Sequence, residues 1–205
     1  MERRNRGGSR SKMDHLADNF VGIGLMIAKA LAQNGAAKVY IAGRRLKVLE
    51  EAASAIGSNV IPIQCDVTSK DELRTAVLTV EKEVGYLNLL VCNSGISGPS
   101  PPKLTPETTL EQWATANFDQ KIEDYTNTFM VNVSSVWFTT MAFLMLLDAG
   151  NKKGNVTQSS QVVITSSIGG FNKKAPGGWA YNQSKAAVTH ASKALGVALP
   201  QWNIR

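Results

Sequence analysis

The sequence predicts an α/β domain built on a doubly wound parallel sheet, and three observations lead to that class. From residue 21 to the end of the 205-residue chain, short apolar segments alternate with segments of helical periodicity. The apolar segments are hydrophobic on successive residues, which is typical of strands covered on both faces. Strands of this kind, separated by helices, form parallel sheets through right-handed crossovers. We therefore expect a layer of parallel strands with helices on both sides.

The first half of the chain contains two predicted helices and two predicted strands. A helix is expected over 21–34 because its apolar residues recur at helical spacing and Gly35 follows as a C-cap. Strands are expected over 38–42 and 59–64, and Pro62 favours an edge position for the latter. The helix between these strands is predicted from four apolar residues at a 3.6-residue period: Leu46, Leu49, Ala53 and Ile56.

The second half continues the alternation with longer helices. Thr68 or Ser69 can cap a helix that extends to Val84, and apolar strands are expected over 87–92 and 161–166. A last helix is expected over about 178–199. The long helix before the fourth strand is predicted from six residues at helical spacing: Phe129, Val133, Val136, Thr140, Phe143 and Leu147.

Two segments interrupt this rhythm and are predicted to be surface loops. Residues 96–112 contain four of the seven prolines. Residues 148–160 are polar and rich in glycine and asparagine. Both compositions are typical of turns and loops.

The net charge of +6 is concentrated at the N-terminus. Residues 1–12 hold five basic residues and one acidic residue, so the rest of the chain carries only +2. We expect residues 1–20 to form a basic, disordered tail and residues 21–205 to form the domain. The tail lacks the aromatic residues of a nucleic-acid-binding segment and the apolar stretch of a secretory signal. No uninterrupted apolar run reaches the length of a membrane span.

Two cysteines are too few for a disulfide framework. Cys65 and Cys92 lie at predicted strand ends, and we expect buried, unreactive thiols in a cytoplasmic protein. The spacing of Cys and His residues matches no metal site. We therefore expect no metal, no nucleic acid and no membrane among the partners.

Polar, basic or small residues follow all four predicted strands. In a parallel α/β sheet, ligands bind beyond the carboxyl ends of the strands, which lie at one edge. Any one of these groups is readily explained as a turn, but four together indicate a binding site. The groups are Gly43-Arg44-Arg45, Asp66-Val67, Asn93-Ser94-Gly95 and Ser166-Ser167.

The last helix carries a tyrosine and a lysine that can act together. Tyr181 and Lys185 are four residues apart, which puts both on one helix face. An ammonium beside a phenol stabilises the phenolate, and this makes tyrosine a usable general acid and base nearer neutral pH. Ser167, at a strand end fourteen residues before Tyr181, offers a hydroxyl that could bind the same carbonyl oxygen.

With these residues, the chain resembles the short-chain dehydrogenase/reductase family of the Tyr-x-x-x-Lys type, which has a Rossmann-like fold. The resemblance runs from about Val21 to Arg205 and is strongest to fungal 3-oxoacyl-reductase-like members. It implies that Asn132, Ser167, Tyr181 and Lys185 form the catalytic set. The implied cofactor contacts are Gly22, Ile23, Gly24, Arg44, Arg45, Asp66, Val67, Asn93, Gly95, Tyr181 and Lys185.

The resemblance also implies a role for each catalytic residue. Tyr181 would donate a proton to the substrate carbonyl, and Ser167 would orient that carbonyl. Lys185 would assist Tyr181 and bind the nicotinamide ribose, while Asn132 would support a water in a proton relay. The helices bearing Asn132 and Lys185 often form dimer interfaces in the family, so the resemblance implies a homo-oligomer through them. The expected substrate is a small carbonyl compound.

Charge favours NADP(H) as the cofactor. Sites specific for NAD place an acidic residue near the ribose 2′-hydroxyl, whereas this chain has Gly43 followed by Arg44 and Arg45. Guanidinium groups bind a 2′-phosphate well. The alternative is that these arginines only face solvent at a helix start.

The chain departs from the family at both ends. Ala17 and Asp18 stand where the family has the threonine and first glycine of its glycine-rich loop, and no strand-like run precedes them. The sequence stops at Arg205, before the family's substrate-covering segments. We therefore expect a domain incomplete at both ends. The leading hypothesis is an NADP(H)-dependent carbonyl and alcohol oxidoreductase. The alternative is an inactive fragment or non-catalytic relative that oligomerises with a full-length reductase.

Overall fold

The structure is a computed structural model that describes residues 22–100, 104–175 and 177–205. The chain divides into two compact units, with the boundary after Gln64. The first unit is described from Gly22, and the second begins at Cys65. The predicted tail over residues 1–20, with Ala17 and Asp18, lies outside the described residues.

The first unit alternates helices and strands as predicted. Its strands pair in parallel, with Val39 opposite Val60 and Gly43 opposite Gln64. Pro62 lies on the second strand, opposite Ile41 of the first. The elements are α1 (Ile23–Gln33), β1 (Val39–Gly43), α2 (Leu46–Ile56) and β2 (Val60–Gln64).

A small apolar core holds this unit together. Asn59 adds polar contacts, because its side-chain amide donates to the carbonyls of Ala32 at 3.1 Å and Ala36 at 2.9 Å. These bonds tie the end of α1 and the turn after it to the start of β2, and they satisfy the Ala32 carbonyl that the helix leaves open and the Ala36 carbonyl of the turn. The buried residues of the core are Ala28, Val39, Ala53 and Val60.

The second unit contains the other pair of parallel strands and the longest helices. Leu89 lies opposite Gln161, and Cys92 lies opposite Ile164. Two short 3₁₀ turns, Ile168–Gly170 and Leu199–Trp202, flank the last helix. The main elements are α3 (Lys70–Glu83), β3 (Leu89–Cys92), α4 (Leu110–Phe118), α5 (Ile122–Phe129), a π-helical turn (Met130–Ser134), α6 (Ser135–Lys153), β4 (Gln161–Ile164) and α7 (Trp179–Ala198).

The continuous helix formed by α5, the π turn and α6 is long and apolar enough to cross a membrane. Polar residues are interspersed in it, so it contains no uninterrupted apolar run of membrane-spanning length. Its side chains Phe143, Leu146 and Leu147 are buried in the second unit, and the backbone N–H of Leu87 donates to Leu146 O at 2.8 Å. These contacts are typical of a core helix.

The two predicted loops are partly helical. In 96–112, α4 begins at Leu110 because Thr109 and Gln112 form a capping box, with Thr109 N donating to Gln112 Oε1 at 3.0 Å. In 148–160, α6 continues to Lys153 and ends where Gly154 adopts a left-handed conformation with φ of 63°. The loop predictions were therefore wrong over 110–112 and 148–153, since both rested on composition and overlooked capping.

Candidate active site

The predicted cofactor residues of the first unit lie at the start of α1 and at the end of β1. Gly22 is the N-cap of α1, and its carbonyl accepts from Leu25 N at 2.9 Å, so Ile23 and Gly24 form the first turn. Arg44 and Arg45 directly follow β1, and both are exposed. The first unit thus presents a helix N-terminus and two guanidinium groups.

Four further predicted cofactor residues follow β2 and β3 and belong to the second unit. Asp66 accepts from Thr68 N at 2.9 Å and from Thr68 Oγ1 at 2.7 Å, which shapes the turn that contains Val67. Asn93 accepts from Thr165 Oγ1 at 3.0 Å. Because Asn93 follows β3 and Thr165 follows β4, this bond joins the carboxyl ends of the two strands.

Gly95 brings the loop after β3 against two predicted catalytic residues. A Cβ atom at this glycine would lie 3.1 Å from Asn132 Oδ1 and 3.7 Å from Lys185 Nζ. The backbone therefore approaches both side chains closely, which only a small residue permits. The structure brings Gly95, Asn132 and Lys185 together, although they come from three separate parts of the chain.

Asn132 is buried in the π-helical turn and fastens the loop after β3. Its side-chain oxygen accepts from Ile96 N at 2.8 Å, and its nitrogen donates to Ile96 O at 2.9 Å. The same nitrogen lies 2.9 Å from Ser184 Oγ, to which it donates. Short π turns within α-helices are frequent at functional sites. In this turn, the single side-chain amide of Asn132 binds both the loop after β3 and α7.

Ser184 is a member of this network that the sequence reasoning missed. Besides accepting from Asn132, its hydroxyl donates to the backbone oxygen of Tyr181 at 2.7 Å. The residue is completely buried, one position before Lys185. The sequence offered one signal for this role: a small polar residue three positions after Tyr181, which places it on the same side of the predicted helix.

Lys185 holds its charge beside the Tyr181 ring. Its ammonium nitrogen lies 5.8 Å from the ring centroid and donates to Thr165 O at 2.8 Å. The residue is only 5% exposed, and this burial lowers the pKa of the Lys185 side chain from its ordinary value of 10.5. The predicted juxtaposition of the two residues on one helix face is thus present.

Ser167 lies at the start of the 3₁₀ turn after β4. Its hydroxyl accepts from Gly169 N at 3.1 Å and so caps that turn. The turn contacts the tyrosine, because a Cβ atom at Gly169 would lie 3.3 Å from Tyr181 Cε1. Ser167 therefore belongs to a segment that touches Tyr181 at its ring edge.

The two thiols are buried, as expected. Burial raises the pKa of Cys65 and of Cys92 from 9.0 to about 11, so both remain protonated near neutral pH. Within the described ranges, no group of three or more His, Cys, Asp or Glu side chains could hold a metal ion.

The burial of Lys185 predicts a pH dependence of stability. Between its lowered pKa and the ordinary value of 10.5, the native state binds fewer protons than the unfolded state, so the free energy of unfolding should increase with pH. Lys185→Met should remove this increase, as measured by urea unfolding at several alkaline pH values. The raised pKa values of the two buried thiols, Cys65 and Cys92, make the free energy of unfolding decrease with pH, and they do so equally in every variant.

The matched control is Lys193→Met, which removes an exposed lysine from the same helix. It should leave the dependence of stability on pH as in the unmodified chain. An unchanged dependence in Lys185→Met as well would contradict the assignment of a buried, destabilised ammonium to this residue.

The chain is similar over most of its length to curated proteins from fungi. Short-chain dehydrogenase/reductase PhomF from Diaporthe leptostromiformis is 52% identical over 186 residues, which cover 90% of this chain and 63% of that protein. Short-chain dehydrogenase/reductase SAT3 from Stachybotrys chartarum is 41% identical over 193 residues, which cover 87% of this chain and 71% of that protein. The chain thus spans less than two thirds of the length of PhomF.

Solved structures give the same fold. A short-chain type dehydrogenase/reductase from Mycobacterium marinum has a TM-score of 0.73 at 28% identity, over 90% of this chain and 67% of that chain. The Pseudomonas aeruginosa RhlG/NADP active-site complex also has a TM-score of 0.73, at 26% identity, over 90% of this chain and 65% of that one. The α/β, Rossmann-like class predicted from the sequence is therefore confirmed. Because the family model for short chain dehydrogenases matches residues 19–205, the chain belongs to the short-chain dehydrogenase/reductase family, whose members are oxidoreductases that bind a nicotinamide cofactor.

Proposed function

We propose that this chain carries the active site of an NADP(H)-dependent oxidoreductase that interconverts carbonyl compounds and alcohols, with 3-oxoacyl-like compounds as substrates. The observation that best supports the proposal is the buried ammonium of Lys185, 5.8 Å from the centre of the Tyr181 ring. Burial of an ammonium raises the free energy of its charged form, and groups perturbed in this way are frequent in active sites. Beside a phenol, such a cation can stabilise the phenolate that forms during proton transfer.

Each residue of the proposed catalytic set has a defined task. In reduction, the Tyr181 phenolic oxygen gives its proton to the substrate carbonyl oxygen, and in oxidation it takes the proton back. Lys185 stabilises the phenolate that remains, and the Ser167 hydroxyl binds the carbonyl oxygen. Asn132 supports the relay that returns a proton to Lys185. When bound, the nicotinamide supplies or accepts the hydride.

The residues in each unit fit a dinucleotide. Gly22 begins α1 without a side-chain cap, and the first turn of α1 has no acidic residue, so its N–H groups suit a phosphate. In the second unit, the absence of a side chain at Gly95 leaves room beside Lys185. The bond to Thr165 uses one of the three ammonium hydrogens, so Lys185 retains donors for a ribose hydroxyl.

An apolar surface near the start of α7 supports an acyl-type substrate. Trp113 of α4 stands edge to face with Trp179, the first residue of α7, with 6.3 Å between ring centroids. Ile168 and Phe171, which lie shortly after Ser167, are 77% and 63% exposed. Aromatic and aliphatic side chains of this kind provide contact area for an apolar chain attached to the reacting carbonyl.

Cofactor preference is tested by titrating the purified chain with NADPH and NADH and following the melting temperature. A saturable rise that is larger for NADPH is expected, because Arg44 and Arg45 can pair with a 2′-phosphate. The double variant Arg44→Gln/Arg45→Gln should bind NADPH roughly tenfold to a hundredfold more weakly, since a hydrogen bond to a charged group contributes about 1.5–3 kcal/mol. Its affinity for NADH should be unchanged.

The matched control for charge is Lys29→Gln/Lys47→Gln, which removes two exposed cations from the helices of the same unit. It should keep the preference for NADPH. Equal responses of the unmodified chain to both nucleotides would contradict the proposed preference. A melting temperature that responds to neither nucleotide would favour the alternative, a non-catalytic relative that pairs with a full-length reductase.

The remaining parts of the proposal concern partners and location. We propose a homo-oligomer through the helices that bear Asn132 and Lys185, since Trp137 is 45% and Met145 is 75% exposed on α6. The same exposed residues support pairing with a full-length reductase in the alternative. The buried free thiols Cys65 and Cys92 support a reducing, cytoplasmic location. We propose that the chain binds neither membrane nor nucleic acid: the first is supported by the core contacts of the long apolar helix, and the second by the lack of aromatic residues among the basic residues of 1–12.

A further inference from the structure

Asn182, the residue after Tyr181, has an unusual environment. Its side chain is 7% exposed, and its nitrogen donates to Lys174 O at 3.2 Å. Its oxygen Oδ1 is buried and has no hydrogen-bond partner in the described part of the chain. A buried acceptor without a partner costs about 1–3 kcal/mol, so a residue that keeps one usually has a compensating role.

Two glycines contact both Asn182 and the ring of Tyr181. A Cβ atom at Gly169 would lie 3.0 Å from Asn182 Oδ1 and 3.3 Å from Tyr181 Cε1. A Cβ atom at Gly177 would lie 3.3 Å from Asn182 Oδ1 and 2.7 Å from Tyr181 Cδ1. The backbones at these two glycines therefore press against the amide and against one edge of the ring. A displacement of this backbone would therefore change the position of the Tyr181 ring.

The bond between Asn182 and Lys174 fixes the chain that connects those glycines. Lys174 is the last of four exposed residues, 171–174, that follow the 3₁₀ turn. Lys174 is held from two sides, because Asn172 Oδ1 also accepts from Lys174 N at 2.9 Å. The bond from Asn182 joins this connection to the helix bearing Tyr181, and the bond from Gly178 N to Ala175 O at 3.0 Å joins it to the N-cap of the same helix.

We propose that Asn182 is a positioning residue for Tyr181. By holding Lys174, its amide nitrogen keeps Gly177 against the ring, and its oxygen, which has no hydrogen-bond partner among the described residues, fills the space between Gly169 and Gly177. The phenol is thereby held at one place relative to the carbonyl oxygen. This inference rests on the proposed function only for its catalytic consequence, since the ring position can be measured without turnover.

The test compares Asn182→Asp, Asn182→Ala and Asn151→Leu. Asp keeps the volume of asparagine but replaces the donor with an oxygen that faces Lys174 O, whereas Ala removes both atoms. Asn151 is the matched control: its nitrogen donates to Asn203 O at 2.8 Å, and its oxygen accepts from Ser160 N at 2.7 Å, just before β4 begins. Asn151 thus joins backbone segments as Asn182 does. It acts before the start of β4, whereas the 3₁₀ turn that packs against Asn182 follows the end of β4.

The first readout is the NMR signal of the Tyr181 ring in protein with ¹³C-labelled tyrosine. The chain has four tyrosines, and Tyr181→Phe identifies the relevant signal. The second readout is kcat and KM for reduction of a 3-oxoacyl thioester with NADPH. Both Asn182 variants should shift the ring signal and lower kcat by roughly tenfold to a hundredfold, as a misplacement of about 1 Å does, with KM nearly unchanged. Asn151→Leu should lower the melting temperature and change neither readout.

The outcomes separate this proposal from the proposed function. A shifted ring signal in a chain that reduces no carbonyl compound would support the positioning role and contradict the proposed reaction. An unmoved ring signal with unchanged kcat would overturn the positioning role and leave the reaction intact. If the Asp variant fails to fold, the Ala variant decides: a shifted ring signal with lowered kcat supports the positioning role, and an unmoved ring signal overturns it.

Discussion

We expect Gly150→Ala to lower the free energy of unfolding by about 3 kcal/mol, the upper part of the range for overpacked interiors. Gly150 lies on α6 where that helix crosses the start of β3. A Cβ atom there would overlap Leu87 O and would lie 2.8 Å from both Leu87 C and Ser160 Oγ. Because two of these atoms belong to the backbone, the clash cannot be relieved by a side-chain rotation. Chemical denaturation followed by circular dichroism measures the loss.

The control is Gly196→Ala on α7. Gly196 is exposed, and a Cβ atom there would meet nothing within 4 Å in the described structure. Alanine should therefore stabilise the chain by about 0.5–1 kcal/mol, because it loses less conformational freedom than glycine when the helix forms. The same substitution in two helices should thus have opposite signs. A stabilising Gly150→Ala would show that α6 does not approach the Leu87 backbone, just before β3, closely enough to exclude a methyl group.

Tyr181→Phe should lower turnover of a carbonyl substrate by about 10²–10⁴-fold, the usual contribution of a general acid. The change removes only the phenolic O–H. It keeps the ring edge that packs against Gly169 and Gly177, so the melting temperature should stay close to that of the unmodified chain. Binding of NADPH should persist, since Lys185 and the other proposed cofactor residues are unchanged. Steady-state kinetics and a thermal titration measure these effects.

The control for this prediction is Tyr125→Phe. Tyr125 lies on α5, and its hydroxyl donates to Gln183 Oε1 at 2.7 Å, so it also uses its phenolic hydrogen against α7. Its loss should leave turnover nearly unchanged. Turnover of Tyr181→Phe at the level of Tyr125→Phe would remove Tyr181 from the proposed catalytic set.

Much of the fold could be predicted from the sequence because the elements have strong local signals. The helix that begins at Lys70 shows this, since Ser69 accepts from Glu72 N at 3.3 Å and decides between the two candidate caps. The errors arose where a local signal was overlooked. Thr109 and Gln112 form a capping box inside a proline-rich segment. Gly154 ends α6 six residues later than the polar composition from Asp148 onward had predicted.

The candidate site was predictable to the extent that its members are close in sequence. Tyr181 and Lys185 share a helix face because four residues make about one helical turn. Ser184 and Asn182 lie between them, yet their roles depend on contacts with other segments. Ser184 is 52 residues from its partner Asn132, and no periodicity within one helix encodes such a pairing.

Local sequence was enough to predict the alternation of strands and helices, the pairing of Tyr181 with Lys185 and the basic pair after β1, because these depend on backbone geometry over a few residues. The folded chain was needed to show which distant groups meet. It placed the Asn132 amide against Ile96, 36 residues away, and the Asn182 amide against Lys174. It also brought Gly150 against Leu87. Such contacts form only after the chain has closed long loops, when buried polar groups must find partners and backbones approach wherever a side chain is absent.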